Sequence, residues 1–211
     1  MGNLLIYDVK HYIEKYGLTA FIETGTLYGE SVEYARKFFF NKIISIEIEE
    51  DLATQAASKF SHDKRVSIII GDSSKKIKDA LKEADGPCLF WLDAHFPGGD
   101  RNDEKRRGYL DETSVATRVP LLKEIEEIAK YKYFEQSVLL IDDARLFESE
   151  NQNLDNHLKS IGQNEVTRDV LCPYISESIF DKLKQTHDIQ RIDAYGEGNY
   201  IVTPILEKNE I

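Results

Sequence analysis

Residues 20–31 read Ala20-Phe21-Ile22-Glu23-Thr24-Gly25-Thr26-Leu27-Tyr28-Gly29-Glu30-Ser31. An apolar run, an acid, two spaced glycines and then helical spacing describe a buried strand, a tight turn and a helix in succession. The same alternation continues along the chain. Ala20 to Glu23, Ile43 to Ile46, Val66 to Ile70, Cys88 to Leu92 and Val138 to Ile141 are short, nearly continuous apolar runs, most of them β-branched. Such runs suit strands covered on both faces, as in a parallel sheet between helical layers. Ser31 to Phe39, Glu49 to Phe60, Ser74 to Ala84 and Val119 to Tyr131 carry helical spacing between them, which predicts a doubly wound α/β sheet. Asp8 to Tyr16 reads as a leading helix, with Asp8 as N-cap and Gly17 as its stop.

The last third changes character. Asn151 to Gly162 and Ile175 to Leu183 read as helices, followed by strand-like runs at Ile189 to Ala194 and Tyr200 to Thr203. Only Gly196, Glu197, Gly198 and Asn199 separate that final pair, too few residues for a helical crossover, so the pair is expected to form an antiparallel hairpin. No repeat, low-complexity tract or linker divides the chain, and residues 1–211 are expected to form a single domain. The longest stretch without periodicity, residues 97–117, directly follows the fourth strand and is expected to serve as an active-site loop.

Composition narrows the function. Of 211 residues, 41% are hydrophobic and 31% charged, enough for one substantial core under a solvated surface. The 27 basic and 38 acidic residues leave a net charge of −11, which repels a phosphate backbone and argues against nucleic-acid binding. No segment approaches the roughly 18 consecutive apolar residues of a membrane span, and Met1 to Tyr16 lacks the apolar region of a signal peptide. Cys88 and Cys172 show no metal spacing. They read as two buried free thiols, and the expected location is the cytoplasm; a single disulfide stays open.

In an open α/β sheet, ligands bind beyond the carboxyl ends of the strands, so the residues at those positions carry the functional reading. After the first strand, Gly25 permits a sharp turn and Gly29 close packing of the next helix, while Glu23 disfavours a pyrophosphate and suits a cationic ligand. The spacing is not GxGxxG, which argues against a nicotinamide oxidoreductase. Glu47, about 20 residues further on, is placed to accept both hydroxyls of a ribose. Asp72, in Gly71-Asp72-Ser73, has two readings: a carboxylate near an adenine amine, or the N-cap of the next helix.

Taken together, Glu23 to Gly29, Glu47 and Gly71-Asp72 resemble the motifs of the class I S-adenosylmethionine-dependent methyltransferases, over roughly Asp8 to Pro204. The resemblance implies a Rossmann-like seven-stranded sheet with a C-terminal antiparallel hairpin. It also implies S-adenosylmethionine as cofactor, held by Glu23, Thr24, Gly25, Tyr28, Gly29, Ser31, Glu47, Asp72, Ser73 and Asp93.

Strands four and five end in Asp93-Ala94-His95 and Asp142-Asp143. If the strands are neighbours, three acids meet and need a cation or an altered protonation state. Hard oxygen donors favour Mg²⁺, Mn²⁺ or Ca²⁺. The arrangement resembles the metal-dependent small-molecule and sugar O-methyltransferases, with Asp93, Asp142 and Asp143 as the metal carboxylates; the catechol type has Asp-Asn where this chain has Asp142-Asp143. Asp93 and His95 are the catalytic candidates, His95 as general base. His11, His62, His157 and His187 lie on predicted helices or loops and receive no role. The expected reaction is methyl transfer to a hydroxyl of a small molecule, a sugar or an anionic sugar derivative that Lys105, Arg106 and Arg107 would hold. Two alternatives stay open: a metal-independent methyltransferase using His95 as base, and a metallohydrolase using Asp93, Asp142 and Asp143. The sequence also leaves a homodimer open.

Overall fold

A computed structural model describes residues 3–94, 120–144, 180–181, 183–193 and 198–206. Seven strands form one sheet: β1 (Ala20–Thr24), β2 (Lys42–Glu47), β3 (Val66–Ile70), β4 (Cys88–Leu92), β5 (Val138–Ile141), β6 (His187–Ile192) and β7 (Asn199–Pro204). Their order is β3-β2-β1-β4-β5-β7-β6. The first five are parallel, and β7 enters antiparallel between β5 and β6. The expected doubly wound sheet with a terminal hairpin is the observed fold.

Strand alternation divides the apolar residues between two cores. Ile22, Ile44, Phe90 and Leu139 face a layer containing α4 (Ser73–Glu83) and α5 (Leu121–Ile128). Phe21, Ile43, Leu89, Trp91 and Leu140 face α1 (Val9–Tyr16), α2 (Glu30–Ala35) and α3 (Glu50–Phe60). Both faces of β1, β4 and β5 are therefore buried, which explains why these strands read as continuous apolar runs. In α5, Leu121, Ile125 and Ile128 recur on one face and bury it, at about 1.5–3 kcal/mol for each fully buried side chain.

Local signals set the helix ends. The Asp8 carboxylate accepts the His11 N–H at 3.0 Å, and Gly17 closes α1 in the left-handed conformation. Three expectations are corrected. The helix expected over Ser31 to Phe39 stops at Ala35, because Phe38 and Phe40 must both turn into the core while Phe39 is 97% exposed. Two residues apart share a face in extended chain and oppose each other on a helix. The Arg65 guanidinium then donates to the carbonyls of Arg36 and Phe38 at 3.2 and 3.0 Å, satisfying the end of the helix. The helix expected over Val119 to Tyr131 ends at Ile128, since the Tyr131 hydroxyl is drawn off to the carbonyls of Ala84 and Gly86. His187, placed on a helix or loop by its sequence, opens β6. It is buried, with its Nε2 against the Ser137 carbonyl and its ring 4.6 Å from that of Phe134.

Cys88 is a buried free thiol, whereas Cys172 lies outside the described residues. So do the loop 97–117 and the helix expected over Asn151 to Gly162; of Ile175 to Leu183, only residues 180, 181 and 183 are described, and they are helical. Among the described residues, no helix is long and apolar enough to cross a membrane.

Candidate active site

Strand register brings the functional candidates level. Thr24 pairs with Leu92, Leu92 with Ile141, and Ile141 with Tyr200. Each departing chain then reaches sideways to the adjacent strand. Gly25 N–H donates to the Ile46 carbonyl at 2.9 Å, Gly71 N–H to Glu47 at 2.7 Å, Asp93 N–H to Thr24 at 3.2 Å and Asp142 N–H to Leu92 at 3.1 Å. These bonds fix the backbone from which the strand-end side chains project, at the edge where ligands bind to this class of sheet.

The glycine loop is built for close approach. At φ +87°, a side-chain carbon on Gly25 would fall 2.9 Å from the Asp93 carbonyl oxygen; one on Gly29, at φ +72°, would fall 2.7 Å from the Phe60 ring. Between them Leu27 adopts φ +46°, a conformation costly for a branched residue. Its N–H donates to Glu47 Oε2 at 2.8 Å, while Glu47 Oε1 accepts from the Glu49 N–H at 2.9 Å. Glu47 is thus the clasp of the loop. A carboxylate has about four acceptor directions, so this engagement leaves capacity for two hydroxyls.

Glu23 is 1% exposed and turned beneath the loop, where Ser45 Oγ donates to its Oε2 at 2.5 Å and Thr26 Oγ1 lies 2.6 Å from the same serine oxygen. Burial lifts its pKa to about 8; bonds from Ser45 and Ser31 oppose the rise, and the charges of Asp93 and Glu47 add to it. Near neutral pH the carboxyl is therefore largely protonated. Asp72 adopts its N-cap reading: Oδ1 accepts from the Ser74 N–H at 3.0 Å and from Ser74 Oγ at 2.6 Å, and Oδ2 pairs with Lys75 at 2.9 Å. Ser73 is buried beside it, whereas Tyr28, Ile48 and Ile70 are exposed.

On the other side of β1, the three aspartates come together. Asp93, Asp142 and Asp143 each offer a carboxylate oxygen within 4.8 Å of the others. Asp142 and Asp143 are buried, and Asp143 is turned inward by a backbone at φ +52°. At an effective dielectric near 20, two charges at that separation repel by about 3 kcal/mol. An oxygen-only donor set of this span matches a hard divalent ion coordinated at about 2.0–2.6 Å. The Asn199 side chain donates from Nδ2 to Asp142 Oδ1 and also faces the Tyr7 hydroxyl. His95 and the basic residues Lys105, Arg106 and Arg107 lie outside the described residues.

Four residues near the site have no motif behind them. Ile48 directly follows Glu47 and is 37% exposed at the loop, and an apolar residue after a strand-end acid is the signal that marks it. Glu124 of α5 is 1% exposed and faces Ser73 and Thr24; burial lifts its pKa to about 7, opposed by those two hydroxyls and aided by Asp72. Its place at an apolar-spaced position between Leu121 and Ile128 is the only trace it leaves in the sequence. Tyr7 and Asn199 reach the aspartates from opposite ends of the chain, and no local pattern joins them.

No protein-family model matches the chain, and no curated protein sequence matches it. Solved structures do. A methyltransferase from Podospora anserina with bound S-adenosylhomocysteine superposes with a TM-score of 0.57 at 12% identity, over 93% of this chain and 76% of that one. An O-methyltransferase from Bacillus cereus, also in complex with S-adenosylhomocysteine, gives 0.54 at 13% identity, over 93% and 78%. Human methyltransferase-like protein 13, with the same ligand, gives 0.51 at 14% identity, over 92% and 75%. At these identities the likeness is one of architecture: the chain has the Rossmann-like fold of the S-adenosylmethionine-dependent methyltransferases.

Proposed function

We propose that this protein is an S-adenosylmethionine-dependent methyltransferase that methylates a hydroxyl of a small molecule with the help of a divalent cation. One observation carries the reading: a clasped glycine loop suited to a nucleoside and a triad of carboxylates suited to a cation lie at neighbouring carboxyl ends of strands in one sheet. The shared fold with ligand-bound methyltransferases supports it.

Bound S-adenosylmethionine would supply an activated methyl on a sulfonium, so that the sulfur–carbon bond breaks as the oxygen–carbon bond forms and the acceptor proton passes to a base. The task of this chain's residues is alignment. Glu47 would take the ribose hydroxyls while holding Leu27, and Gly25 keeps the loop close to β4 by lacking a side chain. Ile48 and Ile70, exposed at the ends of β2 and β3, would offer the adenine an apolar surface. Glu23 would ionise against the positive charge of the cofactor, a charge its burial otherwise disfavours. Asp93, Asp142 and Asp143 would hold a Mg²⁺ or Mn²⁺ ion, which lowers the cost of the acceptor alkoxide. The acceptor class we favour is a sugar or other hydroxyl-bearing small molecule.

Titration calorimetry with S-adenosylmethionine on the parent and on Glu47→Ala tests the cofactor reading. The variant is expected to bind at least about tenfold more weakly, because hydrogen bonds to a charged group are worth about 1.5–3 kcal/mol each. Absence of binding by the parent protein would overturn the reading and leave a metallohydrolase as the better account of the aspartates. Once a screen of sugars and small phenols yields an acceptor, methyl transfer that survives both a chelator and Asp142→Ala would remove the metal from the mechanism.

A further inference from the structure

The short 3-10 turn Leu4–Ile6 precedes Tyr7, whose ring is 4% exposed and packs edge-on against Trp91 of β4 with 5.7 Å between ring centroids. This contact drives the side chain of an N-terminal residue under the end of β4, two residues from Asp93. Its hydroxyl there faces the Asn199 amide and lies in the field of Asp142 and Asp93. Asn199, 3% exposed, opens β7 and donates to Asp142 Oδ1. The segment before β7 is tied to the same spot, since the Ala144 N–H donates to the Gly198 carbonyl at 2.8 Å.

We infer that Tyr7 and Asn199 are positioning residues for the Asp142 carboxylate, and that together they set how tightly the aspartate triad holds a divalent cation. The inference rests on the metal-assisted reading of the site. Its chemistry follows from the kind of donor present. An amide N–H can fix the rotation of a carboxylate without supplying a positive charge, so the acid stays orientated and still attracts a cation. A lysine or arginine in the same place would neutralise it. An amide nitrogen carries two hydrogens, so with one given to Asp142 Oδ1 the other is available to the Tyr7 oxygen it faces. Hydrogen-bond partners of metal-binding carboxylates typically alter affinity by about 10–100-fold when removed.

The test is binding of Mn²⁺ to the full chain, followed by the loss of the free-ion electron paramagnetic resonance signal, for the parent, Tyr7→Phe, Asn199→Leu and Asp142→Ala. Tyr7→Phe keeps the ring and its contact with Trp91, so it removes the hydroxyl alone; melting temperatures establish that each variant is folded. Tyr7→Phe and Asn199→Leu are expected to weaken Mn²⁺ binding about tenfold or more, with Asp142→Ala weaker still. A role in packing alone would shift the melting temperature and leave Mn²⁺ affinity unchanged. Equal affinity in the parent and Tyr7→Phe overturns the inference while leaving the metal reading intact, and should Asn199→Leu not fold, Tyr7→Phe decides. A parent protein that binds no Mn²⁺ overturns both.

Discussion

Replacing Glu23 by Gln removes a titration that the fold makes costly. The carboxyl is 1% exposed, and burial carries its pKa from 4.5 to about 8 despite the bonds from Ser45 and Ser31. Between those two pH values the native state binds one more proton than the unfolded chain. Stability must therefore fall as pH rises through that window, and level off above about 8. At about 1.4 kcal/mol per unit, a gap of roughly 3.5 units corresponds to a loss on the order of 5 kcal/mol. That is a large share of the 5–15 kcal/mol by which a domain is ordinarily stable. Glutamine has no proton to lose, and its carbonyl oxygen can still accept from Ser45. Urea unfolding of parent and variant, without cofactor and in the presence of a chelator, measures the difference directly. The two should be nearly equal at about pH 5, with the variant more stable by several kcal/mol at about pH 9. Parallel pH profiles would show that Glu23 ionises in the native protein as easily as in the unfolded one, and the argument from burial would fail.

Three further outcomes follow from the same structure. Glu124→Gln should flatten the pH profile only between about 4.5 and 7, where burial holds the parent's carboxyl protonated in the native state; an effect confined to pH above 8 would contradict this. Gly25→Ala should lower stability by about 1–3 kcal/mol, because φ +87° and the Asp93 carbonyl at 2.9 Å both oppose a methyl group, and an unchanged melting temperature would argue against the loop geometry. Asp63→Asn should cost about 1–3 kcal/mol at neutral pH, since Asp63 accepts from Arg36 Nε at 3.0 Å and Arg65 Nη2 at 2.7 Å. Hydrogen bonds from Arg65 and Arg36 prevail over partial burial and hold its carboxyl far below the ordinary carboxylate range. That contribution is present above the range and shrinks as pH falls beneath it, so a difference between parent and variant that grows towards acid would sink the explanation.

The fold was legible because its information is local. A run such as Ala20 to Glu23 or Cys88 to Leu92 is buried along its whole length by neighbours on both sides, so its boundaries coincide with its composition. The ends of α2 were not, because what stops that helix is the demand of two phenylalanines for the core and the reach of Arg65 from another loop. The same contrast holds at the site. Glu47 and the aspartates lie where strand ends must converge, and strand order alone brings them together. Glu124 was hidden because it occupies a position whose spacing announces a core residue, and burial there raises its pKa to about 7. Asp72 presented two roles to the sequence, and its contacts within the first turn of α4 express the capping one.

The entry of β7 between β5 and β6 has a consequence for how the protein matures. Among the described strands Asn199 lies on the last in chain order and Tyr7 ahead of the first, yet both lie beside Asp142. Until β7 leaves the ribosome, β5 is an open edge and Asp142 lacks its amide donor. Long-range pairings of this kind form late, after the cost of closing a very long loop has been met. The parallel strands can assemble around the glycine loop while the aspartates are still incomplete. On the proposed reading, the nucleoside pocket would be complete before the cation site, and cation affinity would report the finished fold.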